Sequence, residues 1–289
     1  MCRMLAAFSA ASCSYADLLL DVPNCLLSQS GGDHRGEKHD DGWGLVWYEA
    51  DQPRRVRAPT AARNDPQFVE TARLCASTAV VAHVRQASVG ELNAANAHPF
   101  VYDRWTFAHN GTIERFDVVR EQMVAEMDDE WRGLVEGTTD SEWLFYFLLA
   151  RGTRAGLDWS TASAADPEVV ELVRHALREV AQWSEASVQP GSNAPTAHDV
   201  LPPVHIPENR VAKRATCGVE PTRLNLLLTN GTSLLATRWK YDLCYAESER
   251  GVMVASESIG AGSWREMPEP SILTVSRDLR LVLHPLAYD

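Results

Sequence analysis

Strand-like segments stand at both ends of this chain and helical segments are grouped between them. That order points to an α+β fold built on antiparallel sheets. In the first half, Gly42–Glu49 reads as a strand, Thr78–Val84 as a buried strand by its β-branched density, and Trp105–His109 as another. The last third reads as β: Arg223–Thr229, an Asn230-Gly231 turn, Thr232–Trp239, Gly251–Ser256, Ser271–Ser276 and Leu279–Leu283. Between them, Asp65-Pro66 opens a helix to about Cys75, with the acid as N-cap and proline at the first helical position. Further helices run from Glu114 to Met127 and from the capping box Thr139-Asp140-Ser141-Glu142 to Ala150. Met4–Phe8 is a short apolar run, and Ser14 is placed to cap a brief helix through Leu18–Leu20. Asp166-Pro167 starts a helix to Trp183 with Val169, Val170, Val173, Ala176, Leu177 and Val180 on one side, and Ser184–Glu208 reads as a long exposed loop. We read residues 1–289 as a single domain with a helix-plus-loop insertion at about 151–222.

Charge and composition narrow the function classes. With 27 basic and 39 acidic residues in 289, the net charge is −12, which argues against a phosphate-tracking nucleic-acid binder or an anionic-membrane binder. No apolar run approaches the roughly 18 residues of a membrane span. Arg3 followed by Met4–Ala11 has the outline of a secretory signal, but Ser9, Ser12 and Ser14 interrupt it and Asp17 follows closely. Six cysteines without a CxxC pair suit a reducing cytoplasm.

Chemistry concentrates in the first half. If Met1 is removed, Cys2 carries both a thiol and a free α-amine, and an amine with a reference pKa of roughly 7.7–8.0 can serve as the thiol's base. Asn110-Gly111 reads either as a two-residue hairpin turn or as an amide and a glycine N–H forming an oxyanion hole. The helical pattern after it makes a tight hairpin less natural there than at Asn230-Gly231. Arg85, leaving a buried strand, is either a solvated cap or a bidentate grip on a carboxylate. Asp140 is either a first-turn acid favourable to the helix dipole or a receiver for an ammonium group. The compact Asn96-Ala97-His98-Pro99-Phe100 reads as an ordered loop. Nine histidines show no ligand spacing, so no metal is expected; no P-loop, dinucleotide fingerprint or GxSxG occurs.

Six segments taken in order resemble the class II glutamine amidotransferase domain of the N-terminal-nucleophile hydrolase superfamily. They are Met1-Cys2-Arg3, His39-Asp40-Asp41-Gly42-Trp43-Gly44, His83-Val84-Arg85, Asn96-Ala97-His98-Pro99-Phe100, Phe107-Ala108-His109-Asn110-Gly111 and Thr138-Thr139-Asp140-Ser141-Glu142. The tail around Val254-Ala255-Ser256-Glu257 and Trp264 looks more loosely like stand-alone members such as the ergothioneine-pathway γ-glutamyl hydrolases.

The resemblance implies a four-layer αββα sandwich and no cofactor. It implies that Cys2 attacks the γ-carbonyl of a glutamine-like group and that Asn110 and Gly111 hold the oxyanion. Arg85 would clamp the substrate's α-carboxylate, Asp140 its α-ammonium, and Ser88 and His98 would shape the glutamyl pocket. Three features depart from the family pattern: Gln86 and Ser88 stand where many relatives carry tryptophan and threonine, Ser258-Ile259 where stand-alone relatives show proline and leucine, and 151–222 is long. The leading expectation is a cytoplasmic γ-glutamyl amide hydrolase acting on a small molecule. A glutaminase subunit passing ammonia to a separate synthase is the alternative, and a catalytically silent binding module the third reading.

Overall fold

The computed structural model describes residues 2–185 and 221–286. Its first sheet comprises β1 (Arg3–Ser14), β2 (Trp43–Glu49), β3 (Gln52–Ala58), β4 (Ala76–Val84), β9 (Cys244–Ser248), β10 (Gly251–Ala255) and β11 (Arg265–Glu266). The second comprises β5 (Phe100–Tyr102), β6 (Trp105–Thr112), β7 (Arg223–Thr229), β8 (Leu234–Arg238), β12 (Ser271–Val275) and β13 (Leu281–Pro285). The orders are β11-β9-β10-β1-β4-β2-β3 and β13-β12-β8-β7-β6-β5, with antiparallel pairing throughout. The helices are α1 (Leu26–Gly31), α2 (Pro66–Leu74), α3 (Phe116–Glu126), α4 (Asp129–Arg132), α5 (Asp140–Arg154) and α6 (Pro167–Glu185).

Four layers require three cores, and three are present. Met4, Ala6, Phe8, Ala79 and Val81 of the first sheet meet Ala108, Leu227, Ala236 and Leu273 of the second between the sheets. Leu5, Ala7, Val80 and Ala82 face the other way, against Leu26 of α1 and Phe68 and Ala72 of α2. Trp105, Phe107, Leu226 and Leu228 turn outward from the second sheet onto α3, α5 and α6. Central strands are therefore buried on both faces, which is why Met4–Phe8 and Thr78–Val84 read as apolar runs and not as alternating ones. The αββα expectation holds.

The helix ends follow their sequence signals. Asp65 accepts a hydrogen bond from Gln67 N, and Pro66 takes the first helical position of α2. Thr139 Oγ1 accepts from Glu142 N at 3.2 Å, but the Glu142 carboxylate turns to Glu136 N and Gly137 N instead of closing the box on Thr139. Arg3–Ser14 is one long strand where a short apolar run was expected, and the turn after it is a π-type turn over Asp17–Asp21. β3 went unread because Pro53, Arg54, Arg55 and Arg57 are residues that only an edge strand tolerates.

Within the segment read as an insertion, α6 joins the outer layer, packing Val169, Val173, Leu177 and Val180 into the core with α3 and α5. Trp159, between α5 and α6, accepts from Trp105 Nε1 through its carbonyl at 2.7 Å and donates to Leu149 O at 2.9 Å. The exposed-loop reading of Ser184–Glu208 lies, beyond Glu185, outside the described residues.

Phe107 is fully buried and stacks on Phe145 at 5.2 Å, joining the second sheet to α5. Phe107→Ala should cost about 3–5 kcal/mol. Urea unfolding should show a lower midpoint with an unchanged slope.

Candidate active site

Residue 2 sits where β1 begins, and the register Arg3↔Val84 sets it beside the chain leaving β4. Cys2 Sγ lies 3.4 Å from both the backbone N and O of Gln86. The thiol is buried, and burial pushes its pKa up; the N-terminal ammonium, the Gln86 amide and Arg85 pull the other way.

Arg85 is buried, but it is not a solvated cap. Its guanidinium donates to Val89 O at 2.9 Å, Glu91 O at 3.1 Å and Asp41 O at 3.5 Å, which folds the chain after β4 back on itself. Asp41 adds a hydrogen bond from Ala87 N to Oδ2. Burial lowers the Arg85 pKa, while the charges of Cys2, Asp41 and Asp140 raise it, so these groups share one field. Asp140 Oδ2 accepts from Ile113 N at 2.8 Å and Oδ1 from Ser141 Oγ at 3.1 Å.

Asn110 and Gly111 are neither a hairpin turn nor beyond the strand end. β6 continues to Thr112, and both residues pair with β7 as Asn110↔Asn225 and Gly111↔Leu224. A Cβ at Gly111 would stand 2.0 Å from Arg223 O and 2.3 Å from His109 Nε2, so only glycine fits that pairing. Asn110 faces the space between the sheets, where Nδ2 lies 3.2 Å from Ser256 Oγ and Oδ1 has no partner. Ser88 Oγ accepts from Thr112 Oγ1 at 2.9 Å, bringing the loop after β4 next to Gly111. Asn96 ties that loop to the start of α5: Oδ1 accepts from Thr138 N at 2.8 Å, and Nδ2 donates to Glu91 O and Thr138 Oγ1.

His98 is packed, not open to a pocket. Its ring stacks on His83 at 4.3 Å, meets Phe100 edge-on at 4.7 Å, and has no hydrogen bond at either nitrogen. No group of three or more potential metal-binding side chains occurs among the described residues, and no helix of theirs is long and apolar enough to cross a membrane.

The sequence matches the model of a family described as glutamine amidotransferases class-II over residues 1–188. The chain belongs to that family. Its members are enzymes, and several relatives of this chain are named as glutamine amidotransferases or gamma-glutamyl hydrolases. One is the probable glutamine amidotransferase DUG3 of Saccharomyces cerevisiae, 26% identical over 99% of this chain and 84% of its own length. Another is the gamma-glutamyl-hercynylcysteine sulfoxide hydrolase of Mycolicibacterium smegmatis, 29% identical over 99% of this chain and 100% of its own length. A class-II domain protein of Silicibacter pomeroyi superposes with a TM-score of 0.61 at 22% identity, covering 99% of this chain and 100% of its own. At that identity the likeness shows the fold.

This class-II amidotransferase also holds a buried ionic cluster that sequence reasoning missed. Arg3 donates through Nε to Glu257 Oε1 at 2.6 Å, through a terminal nitrogen to Asp33 Oδ2, and through the other to Cys2 O at 2.9 Å. Asp33 also accepts from Arg35 N, Glu37 N and His39 Nε2; Glu257 also takes His34 Nδ1 at 2.6 Å and Asn24 Nδ2 at 3.2 Å. A guanidinium set directly before an apolar strand was the available signal, because a charge there must be buried with partners. A cleft of about 380 Å³ opens beside this cluster, lined by Asn24, His34, Asp242, Ser256, Glu257 and Trp264 among others.

Burial holds the four histidines around the site neutral: His39 down to about 4, His83 down to about 3, and His98 and His109 also lowered. The unfolded chain protonates near 6.5, so between those values it binds more protons and stability falls as pH falls. Glu142, pushed up to about 7 by burial, has the opposite sign, losing stability as pH rises from its ordinary value through 7. Four histidines outweigh one carboxyl. Thermal unfolding should drop between pH 7 and pH 5, and His83→Phe should make that drop shallower; an equal slope in the variant would refute the neutral burial of His83.

Proposed function

We propose that this enzyme hydrolyses a γ-glutamyl amide bond in a small molecule through Cys2, freed as the N-terminal residue by loss of Met1. The α-amine takes the thiol proton, the thiolate forms a bond to the γ-carbonyl carbon, and the oxyanion is held by Asn110 Nδ2 and the Gly111 N–H. Collapse breaks the C–N bond, with the proton passing to the departing amine, and leaves a γ-glutamyl thioester. Water then attacks the thioester, releasing glutamate and restoring the thiol.

The observation that carries the reading is the convergence on the Cys2 end of the sandwich of two charges not paired to one another. Arg85 spends its hydrogen bonds on backbone carbonyls and Asp140 spends its own on Ile113 N and Ser141, while each lies in the other's field. An amino-acid zwitterion has a carboxylate for the first and an ammonium for the second. Ser88, tied to Thr112, and His98, in the wall behind, complete the glutamyl side. The cleft beside Ser256 and Glu257 supports a departing group larger than ammonia. A cytoplasmic setting fits the described cysteines, all of which are free thiols.

Relatives named as amidotransferases favour a second reading, in which the same thioester chemistry hands ammonia to a separate synthase. Glutamate release from glutamine, glutathione and γ-glutamyl cysteine-sulfoxide conjugates separates the two. The hydrolase reading expects strong turnover of one conjugate by the protein alone, complete loss in Cys2→Ala, and an intact mass lacking Met1. Weak release from every compound, rising with a co-purifying partner, would establish the ammonia donor. Undiminished release by Cys2→Ala would sink both.

A further inference from the structure

Ser256 follows β10 and is buried between the sheets. Its backbone N donates to Met4 O at 3.0 Å, and its Oγ accepts from Met4 N at 3.1 Å, so it is clamped to the strand that carries residue 2. On its other side stands the Asn110 amide, with Nδ2 at 3.2 Å. With Nδ2 toward Ser256, the hydroxyl receives two N–H donors and its own proton meets no acceptor among the described residues, while the buried Asn110 Oδ1 meets no donor. A hydroxyl carries one donor, and a buried amide oxygen left unbonded costs about 1–3 kcal/mol.

A half-turn of the Asn110 amide exchanges two nearly identical atoms, gives the Ser256 proton and Asn110 Oδ1 each a partner, and leaves the Nδ2 donors for an incoming oxygen. Ser256 O–H then donates to Asn110 Oδ1, Met4 N–H still donates to Ser256 Oγ, and Nδ2 takes the place where an unpartnered oxygen stood. We propose that Ser256 is a positioning residue: its hydroxyl donates to Asn110 Oδ1 and so holds Nδ2 toward the oxygen of a carbonyl under attack by Cys2. The inference rests on the assignment of Asn110 to the oxyanion. It adds that the register between nucleophile and oxyanion donor runs through one residue, since Met4 both follows Cys2 by two positions and fixes Ser256. In the opposite orientation Asn110 would present an oxygen to a developing negative charge and repel it.

A neutron structure of the resting protein tests the orientation without relying on activity. Deuterium on Ser256 Oγ directed at Asn110 Oδ1 is the expected result; deuterium on Asn110 Nδ2 directed at Ser256 overturns the proposal. In turnover, Ser256→Ala should lower kcat about ten- to a hundredfold, less than the 10²–10³ for loss of an oxyanion donor itself, with KM little changed. Ser256→Thr, which keeps the hydroxyl, should restore most of the rate. In an Asn110→Ala background Ser256→Ala should cost nothing further, whereas independent losses that multiply would overturn the proposal. A wild-type protein inactive on every γ-glutamyl compound would refute the hydrolase reading alone, leaving the neutron result to decide the role of Ser256.

Discussion

The Arg3 guanidinium, closed off from solvent between Asp33 and Glu257, is the interaction on which the rest of this site depends. A lone buried cation would cost several kcal/mol, so the position is tenable only because two carboxylates and the Cys2 carbonyl fill its donor directions. Those partners come from far along the chain. Asp33 belongs to the loop before β2, and Glu257 follows β10, so the cluster draws a loop and a late strand onto the first strand. The network fixes the backbone of residue 2 from behind, leaving its side chain to the inner face. Removing one carboxylate would strand the guanidinium, which makes the cluster an all-or-nothing anchor.

From that anchor the geometry of the sandwich does the remainder. β1 lies in the middle of its sheet, between β4 and β10, and both faces are buried. The residue preceding it can therefore receive groups from three directions. On the proposed reading, the chain leaving β4 supplies Gln86 and Arg85, β6 of the opposite sheet supplies Asn110 and Gly111, and the end of β10 supplies Ser256. Asp140 arrives last, because α5 begins there and packs its aromatic face onto the second sheet through Phe145. Each side chain sits on a regular element or its immediate end, which limits the freedom of the site.

How much of this was legible in the sequence depends on whether the signal was local. Thr139 and Asp65 as caps, the buried run Thr78–Val84 and the strand Arg223–Thr229 were legible because each rests on neighbours within a few residues. Asn110-Gly111 was ambiguous because Asn-Gly carries the same local chemistry in a turn and in a strand. Only its pairing with β7, more than a hundred residues away, decides between them. Arg3 carried only the outline of a leader sequence locally, while its carboxylate partners Asp33 and Glu257 lie 30 and 254 residues away. Ser256 and Glu257 belong to the looser of the two family resemblances, and their contacts with Met4, Asn110 and Arg3 span most of the chain. What stayed hidden was the long-range half of the polar network.

Arg85 and Asp140 share one field without hydrogen-bonding to one another. On the proposed reading, a direct Arg85–Asp140 ion pair in so dry a place would have to be broken before a zwitterion could enter, and breaking a buried pair costs about 3–5 kcal/mol. Instead each charge is satisfied by main-chain groups and a hydroxyl, partners that hold the side chain in place without cancelling its field. The surrounding histidines, kept neutral by burial, add no competing positive charge. On the proposed reading, an incoming carboxylate and ammonium would meet oriented charges in a medium of low polarity, where each contact is stronger than in water. If the proposed reading holds, pre-organisation of this kind favours a fixed amino-acid terminus and leaves discrimination among substrates to whatever lies beyond the γ-carbonyl.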